Sequence, residues 1–140
     1  MNTPRHILFV DDNPGDRDLA REAMEENGSL QFHTANDGEE AMKFLRQSGA
    51  FENTPRPHLI ILDLNMPRKG GLEALNEIKT NEALSTIPVV IFSSSTAAED
   101  LNQAYQANAN AYVVKPSNLD GFLSVMREIK HFWQKVAAVI

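Results

Sequence analysis

The chain has 140 residues, a formal net charge of −6 and no cysteine, with 42% hydrophobic residues. This length and composition suit one soluble domain spanning residues 1–140, and the lack of cysteine excludes disulfides, zinc–thiolate sites and thiol nucleophiles. There is no basic patch of a nucleic-acid binder, no apolar stretch of about 18 residues that would span a membrane and no signal peptide, so a cytoplasmic protein is expected.

Short apolar runs predict the strands. Four of them are continuous rather than alternating, as in strands that are buried on both faces of a parallel sheet. A fifth segment, Leu30–Ala35, alternates more and suits an edge strand. The continuous runs are Ile7–Val10, Leu59–Leu62, Val89–Phe92 and Ala111–Val114.

Helical patterns lie between these runs. Asn13 can cap the first helix, with Pro14 at its first position and Gly28 at its end. Thr96 is expected to cap the fourth helix, and the fifth starts near Leu119. Strand and helix alternate five times, which predicts an open parallel sheet with helices on both faces. The irregular segment 48–57 is expected to be a surface loop.

Reactive side chains follow the predicted strands directly. Ligands bind beyond the carboxyl ends of the strands in such sheets. Asp11 and Asp12 follow the first run, Asp63 the third strand, Ser93 the fourth and Lys115 the fifth. Three acids, a hydroxyl and an amine therefore meet at one rim of the sheet.

Carboxylates this close repel one another unless a cation lies among them. Mg²⁺ is the natural choice, because it binds a few carboxylate oxygens and leaves room for phosphate oxygens. One acid would then be free to act as a nucleophile and form an aspartyl-phosphate. Taken singly, the Asp11–Asp12 pair and Asp63 are more often turn or cap residues, and only their joint placement at strand ends favours this chemistry.

The chain resembles bacterial two-component response-regulator receivers over nearly its whole length. The resemblance implies the flavodoxin-like receiver fold, with five parallel strands in the order 2-1-3-4-5 and five helices. It also implies phosphoryl transfer from a sensor histidine kinase. The residues that carry it are Val10–Asp12, Leu62–Pro67, Gly71, Ser93 and Tyr112–Pro116.

The same resemblance implies a role for each matching residue. Asp63 would accept the phosphoryl group. Ser93 and Lys115 would contact the phosphoryl oxygens, and Tyr112 would report the switch together with Ser93. The Lys115–Pro116 bond would be cis. The expected Mg²⁺ ligands are Asp11, Asp12, Asp63 and the backbone carbonyl of Asn65.

A narrower resemblance points to the single-domain regulators that partner bacterial phytochromes. It rests on the loop 48–57, the Ile87–Pro88 strand start, the Tyr112 strand and the final Phe132–Trp133. A phytochrome-type histidine kinase is therefore the expected partner. Only one helix follows Lys115, so the expected output is a change in partner binding or onward transfer of the phosphoryl group, rather than DNA binding or catalysis.

Three rival functions remain open at this stage. A phosphatase of the haloacid dehalogenase type also uses a strand-end aspartate, but it typically has a second aspartate where Asn65 stands. A degenerate receiver scaffold would lack an acid or the lysine, and none is missing. A flavodoxin-like cofactor binder would need a phosphate-binding loop after the first strand, where Asp11 and Asp12 stand instead.

The last helix predicts an interface. Its core face contains Phe122, Met126, Ile129 and Trp133, and an α-helical period places a second apolar stripe on Val125, Phe132 and Val139. Exposed apolar patches often mark interfaces, so a two-fold symmetric homodimer through this helix is expected. The alternative is that the stripe only widens the core face or packs on the C-terminal tail.

Two further groups of residues have ordinary interpretations. The histidines, His6, His33, His58 and His131, fall on different elements and lack metal-ligand spacing, so surface or strand-end positions are expected. Gly70 and Gly71 are expected to let the loop after Asp63 turn into the third helix.

Overall fold

A computed structural model describes residues 5–26 and 30–139. Five strands alternate with five helices along the chain, and the expected helix end at Gly28 lies outside the described residues. The strands are β1 (Arg5–Val10), β2 (Leu30–Ala35), β3 (Leu59–Leu62), β4 (Val89–Ser93) and β5 (Ala111–Val114). The helices are α1 (Pro14–Glu25), α2 (Gly38–Arg46), α3 (Gly71–Thr80), α4 (Ala98–Gln106) and α5 (Leu119–His131). Within the described ranges, no helix is both long enough and apolar enough to cross a membrane.

The five strands form one parallel sheet in the order β2-β1-β3-β4-β5. This confirms the predicted order and the edge position of β2. The register sets Val10 beside both Ala35 and Leu62, and Ser93 beside Val114. Strands β1 and β3 therefore end at one level, β4 extends two residues further, and the residues that follow the three strands share one rim of the sheet.

The core has one layer on each face of the sheet. Leu8 and Val10 face a layer built with α2, α3 and α4, whereas Ile7 and Phe9 face a layer built with α1 and α5. The central strands are buried on both faces, which explains why their sequences are continuously apolar. The same expectation is wrong for β5, which is the second edge strand and is only partly buried, with Val114 exposed. With helices on both sides, the carboxyl rim of the sheet remains open to ligands.

Helix capping follows the prediction at α1 but not at α4. The Asn13 side chain accepts a hydrogen bond from the Asp16 amide at 3.2 Å, and Pro14 opens the helix. At α4 the predicted cap by Thr96 is wrong. The N-cap residue of α4 is Ala97, where the chain is still extended, and no side chain in the described part of the chain caps the helix. The Ser95 hydroxyl accepts a hydrogen bond from the Ala97 amide at 3.2 Å before the helix begins.

The last helix changes geometry near its end. After α5 the chain forms a π-helical segment, Phe132–Val136, and becomes extended at Ala137. The Arg5 guanidinium donates to the carbonyl oxygens of Trp133 and Ala137, the latter at 2.8 Å. This contact ties the end of the helix to the start of β1. Trp133 is partly buried against the α1–α5 layer, in agreement with the predicted core position.

The expectation of one continuous second stripe on this helix is wrong. Val125 packs against the core, and Val139 lies beyond the point where helical geometry ends. Only Phe132 is largely exposed, at 49%. The α-helical period on which the stripe was predicted stops at His131, so residues on either side of that point do not share one face.

Three histidines meet at the opposite end of the sheet from the acidic rim. The Nδ1 atom of His6 lies 3.0 Å from Nε2 of His33, and the His6 amide donates to Nδ1 of His58 at 2.9 Å. The sequence had predicted unrelated surface or strand-end positions. Burial lowers the pKa of all three side chains, and the charge of His6 adds to this effect at His33 and His58.

These lowered pKa values predict acid sensitivity. The unfolded chain binds protons on these side chains at a higher pH than the folded chain, so the free energy of unfolding falls as the pH drops from about 6.5 through the lowered folded pKa values. We expect His33→Gln to reduce this loss in denaturant titrations, because one of the three side chains with a lowered pKa is removed. His131→Gln, at an exposed position outside the cluster, is the control. Identical pH profiles for wild type and His33→Gln would contradict the prediction.

Candidate functional site at the carboxyl rim of the sheet

Three carboxylates converge at the rim, as the strand ends predicted. The Asp63 amide continues the sheet by donating to the Val10 carbonyl at 3.0 Å, which brings Asp63 beside Asp11. One carboxylate oxygen from each of Asp11, Asp12 and Asp63 lies within 4.8 Å of the others. Asp11 and Asp63 are buried, whereas Asp12 is exposed.

Lys115 supplies the positive charge in this acidic group. Its Nζ donates to Oδ2 of Asp11 at 2.7 Å and to Oδ2 of Asp16 at 2.9 Å, and it lies 3.5 Å from Oδ2 of Asp63. The backbone amide of Lys115 donates to the Ser93 carbonyl at 2.8 Å. The ladder between β4 and β5 therefore fixes the point from which the side chain reaches across the rim.

The pKa values of the rim follow from burial and from this lysine. Burial raises the pKa of Asp63 to about 6, although Lys115 and backbone amides act in the opposite direction. Burial also raises the pKa of Asp11 against its hydrogen bond from Lys115. For Lys115, burial lowers the pKa, but the hydrogen bonds to Asp11 and Asp16 outweigh it and raise the pKa overall. Lys115 is therefore charged at neutral pH, and Asp63 is protonated in mildly acidic solution.

The loop after Asp63 packs closely against the strand that precedes it. The Gly71 amide donates to the Leu64 carbonyl at 2.9 Å, and a Cβ atom on Gly71 would lie 2.0 Å from the Asp63 carbonyl oxygen. Glycine is therefore required by close approach rather than by the turning freedom that the sequence suggested. Asn65 is exposed, and its backbone amide acts to lower the pKa of the Asp63 carboxylate.

A charged pair holds the same loop from its other side. Arg68 has a left-handed backbone with φ of 63°, and its Nε donates to the buried Asp37 carboxylate at 2.8 Å. Asp37 also caps α2, and the Gly38 amide donates to the Lys69 carbonyl at 3.1 Å. The loop that contains Asn65 is thus attached to the start of α2.

The two residues predicted to form the switch contact one short segment. Ser93 is fully buried, and its hydroxyl accepts a hydrogen bond from the Ser95 amide at 3.2 Å. The Tyr112 hydroxyl donates to the Ser95 carbonyl at 2.9 Å, with its ring packed on the core. A change at Ser93 can therefore reach Tyr112 through the backbone of a single residue.

The prediction of a cis Lys115–Pro116 bond is wrong. The described part of the chain contains no cis peptide bond. The trans isomer is the one that X–Pro bonds favour by about 0.5–1 kcal/mol.

Asp16 belongs to the site but was missed at the level of sequence. The Asn13 cap fixes the start of α1, so Asp16 lies in its first turn. Helical side chains lean toward the N-terminus of their helix, and at this position that direction is the rim of the sheet. The signal in the sequence was an acid three residues after the capping asparagine, which itself directly follows Asp11 and Asp12.

The donor set of the rim suits a hard divalent cation. All three converging side chains are carboxylates, and oxygen ligands are those that Mg²⁺ prefers. Two of them are buried, with Lys115 as the cation that contacts them. Burial of like charges beside a single lysine leaves a negative site, which a divalent ion would neutralise.

Comparison with known proteins agrees with this geometry. The family model of the response regulator receiver domain matches residues 7–127. The chain is 40% identical over 133 residues to the response regulator Rcp1 of Synechocystis sp., covering 94% of this chain and 90% of that protein.

Solved structures give the same result. The phosphorylated cyanobacterial phytochrome response regulator RcpA superimposes with a TM-score of 0.94 and 38% identity, over 98% of this chain and 99% of that one. The Mn²⁺-bound form of Rcp1 gives a TM-score of 0.93 at 38% identity, with the same coverage. These similarities do not favour the phosphatase, scaffold or cofactor-binding alternatives.

Proposed function

The chain belongs to the response regulator receiver domain family and is a phosphoacceptor of two-component signalling, and we propose that Asp63 is the residue that accepts the phosphoryl group. The observation that carries this proposal is the environment of Asp63. It is a buried strand-end carboxylate that lies 3.5 Å from the Lys115 ammonium and close to two further acids. Asp63 is also followed by a loop that packs directly against its own backbone.

The proposed reaction transfers the phosphoryl group from a histidine of the kinase. A carboxylate oxygen of Asp63 forms a bond to phosphorus as the N–P bond of the phosphohistidine breaks, and the histidine leaves with the electron pair of that bond. The transfer needs little more from the protein than positioning and charge neutralisation. We propose that Lys115 and the Ser93 hydroxyl contact the phosphoryl oxygens, and that Tyr112 responds to Ser93.

We further propose that the divalent cation of the site is Mg²⁺. Its ligands would be Asp11, Asp12, Asp63 and the backbone carbonyl of Asn65. When bound, Mg²⁺ would neutralise charge on the transferring group. The Mn²⁺-bound Rcp1 structure supports a divalent ion in a close relative. Because the pKa of Asp63 is about 6, protons should compete with the cation, so Mg²⁺ affinity should fall as the pH drops below that value.

The function is tested with a small phosphoryl donor. Wild-type protein incubated with acetyl phosphate and Mg²⁺ should gain a single phosphate by intact mass, and removal of the metal with a chelator should prevent it. Failure of both this donor and a phosphorylated histidine kinase to modify the chain would contradict the proposal.

Removal of Asp12 should separate metal binding from folding. We expect Asp12→Ala to weaken Mg²⁺ affinity by about tenfold or more, because a charged ligand is lost. The metal-free variant should be at least as stable as wild type, because repulsion among the carboxylates is relieved. Calorimetric Mg²⁺ titration and denaturant unfolding measure the two effects. Asp18→Ala, at an exposed position of α1, is the charge-matched control. Wild-type Mg²⁺ affinity in Asp12→Ala would remove Asp12 from the ligand set.

The partner is proposed to be a phytochrome-type sensor histidine kinase. The supporting observation is similarity to RcpA and Rcp1 over nearly the whole chain, and RcpA is described as a phytochrome response regulator. Phosphotransfer profiling against the histidine kinases of the same genome tests the choice of partner. Faster transfer from a kinase without a phytochrome sensor would contradict it.

The remaining parts of the proposal concern the protein as a whole. We propose that residues 1–140 act as one cytoplasmic receiver domain, without binding nucleic acid. The chain would be a signalling protein that catalyses only its own phosphorylation and dephosphorylation. Its output would be altered binding of a partner.

A homodimer through the end of the last helix is also proposed. Phe132 is 49% exposed, and Val136 nearby is 60% exposed. The Phe132 ring packs edge-on against the Trp133 ring, with 5.6 Å between the ring centroids. Large apolar side chains that are exposed together often mark an interface. Of the two other residues of the stripe expected from the sequence, Val139 lines a cavity together with Phe132, whereas Val125 packs on the core.

Phe132→Glu tests the dimer. A buried glutamate on each side of a two-fold interface would repel its copy, so we expect this variant to sediment as a monomer at micromolar concentrations where wild type is dimeric. Analytical ultracentrifugation with and without phosphorylation is the measurement, and Leu119→Glu, at the other end of the helix, is the control. A wild type that is always monomeric, or a dimer that tolerates Phe132→Glu, would contradict the proposal.

A further inference from the structure

Asp16 is an acid of the rim that the phosphotransfer scheme does not use. It lies in the first turn of α1, and its Oδ2 accepts a hydrogen bond from Lys115 Nζ at 2.9 Å. This contact is shorter than the 3.5 Å from the same Nζ to Asp63. The Lys115 ammonium group is therefore closer to two other carboxylates, those of Asp11 and Asp16, than to Asp63.

The two carboxylates that hold Lys115 differ in what they can do in the loaded site. Asp11 is buried and its carboxylate belongs to the group of three converging acids. Asp16 lies outside that group and its side chain remains 24% exposed. When a cation binds Asp11, the attraction between Asp11 and the Lys115 ammonium group weakens, whereas the attraction between Asp16 and that group remains. Asp16 is then the main competitor for the ammonium group.

We propose that Asp16 is a positioning residue that holds Lys115 in its resting place and competes with the phosphoryl group for it. The inference rests on the proposed function, since it assumes that Lys115 contacts a phosphoryl oxygen on Asp63. An ammonium group shared with Asp16 attracts a new dianion less than a free one does. Asp16 thereby lowers the affinity of the site for a phosphoryl group and favours the resting state.

Beryllofluoride, which mimics a phosphoryl group on a carboxylate, tests this competition. Its dissociation constant is measured at saturating Mg²⁺ for wild type, Asp16→Asn and Asp18→Asn. Asn keeps the shape of Asp16 and removes its charge. Asp18→Asn makes the same charge change on an exposed position of the same helix. Saturating Mg²⁺ removes any effect of Asp16 on metal affinity from the comparison.

We expect Asp16→Asn to bind beryllofluoride roughly three- to tenfold more tightly than wild type, while Asp18→Asn changes little. A double-mutant cycle with Lys115→Gln identifies the route of the effect. In the Lys115→Gln background, Asp16→Asn should change the affinity far less than it does in wild type, because the shared ammonium is gone. A purely structural or long-range charge role would give the same ratio in both backgrounds.

The possible results distinguish failure of the proposed function from failure of the inference about Asp16. If wild type does not bind beryllofluoride with Mg²⁺, the proposed function fails. If wild type binds it but Asp16→Asn binds equally or more weakly, the competition by Asp16 is wrong and the function stands. Equal ratios with and without Lys115 would also overturn the inference. Asp16→Ala provides a second variant, and it should show the same direction of change.

Discussion

Asp63→Asn should abolish phosphorylation. The amide is close to the carboxylate in shape, but it is a poor nucleophile toward phosphorus and brings no negative charge to the cation site. With acetyl phosphate or a phosphorylated kinase, intact mass should show one added phosphate on wild type and none on the variant. The fold should persist, because the buried carboxylate at this position is a burden on stability, as its raised pKa indicates.

The design needs a control for general loss of charge. Asp18→Asn removes one carboxylate from the exposed side of α1 and should be phosphorylated as wild type. Asp12→Asn is less suitable, since Asp12 lies in the acidic group itself. Phosphate incorporation in Asp63→Asn at the wild-type rate would move the acceptor to another residue and remove the central assignment.

Lys115→Ala should have the second large effect, and it should act on two properties. In the metal-free protein Lys115 is the cation that contacts both Asp11 and Asp63. Its loss leaves these two buried carboxylates without the ammonium group that contacts them, and we expect the free energy of unfolding at pH 7 to fall by about 1–3 kcal/mol. Urea titration measures this change. Saturating Mg²⁺ should restore part of the stability, because the cation replaces the missing charge.

The same variant should uncouple phosphorylation from its output. The acceptor and the metal ligands remain, so some phosphate should still be added to Asp63. The ammonium group that links the acceptor to the end of β5 is gone, and Tyr112 in that strand should no longer respond. Lys115→Arg keeps the charge and is the matched comparison. Partner binding that still responds fully to phosphorylation in Lys115→Ala would contradict this role.

The site was predictable because it lies on regular elements. The strand order and the rule that ligands bind at carboxyl ends are sufficient to predict that Asp11, Asp63 and Lys115 lie together. The cap at Asn13 was also predictable, because it depends on neighbouring residues alone. Asp16 followed from the same cap, but its contact with Lys115 joins α1 to β5, and no local pattern reports such a distance.

Other features depend on geometry that periodicity does not encode. The contact between His6 and His33 depends on the register between β1 and β2, because this register makes the two residues diagonal neighbours on adjacent strands. The requirement for Gly71 comes from the approach of its Cα to the Asp63 backbone, not from a special backbone angle. The wrong stripe on the last helix arose from extending an α-helical period through residues that form a π-helix.

The pair between Arg68 and Asp37 was also invisible in the sequence. Asp37 and Arg68 are 31 residues apart, and no spacing rule connects them. In the structure the pair joins the loop after Asp63 to α2 and accompanies the left-handed backbone of Arg68. Long-range charged pairs of this kind are set by the fold, and the local sequence does not distinguish them from solvated side chains.

The most direct test locates the phosphoryl group itself. Wild-type protein is phosphorylated in the presence of Mg²⁺ and reduced with borohydride, which converts an acyl phosphate into an alcohol. Digestion and peptide mass spectrometry then identify the altered residue. We predict a single modified position, Asp63, and none when Mg²⁺ is removed beforehand. Modification of Asp11 or Asp12 instead, or a phosphate that resists borohydride on a serine such as Ser93, would contradict the account.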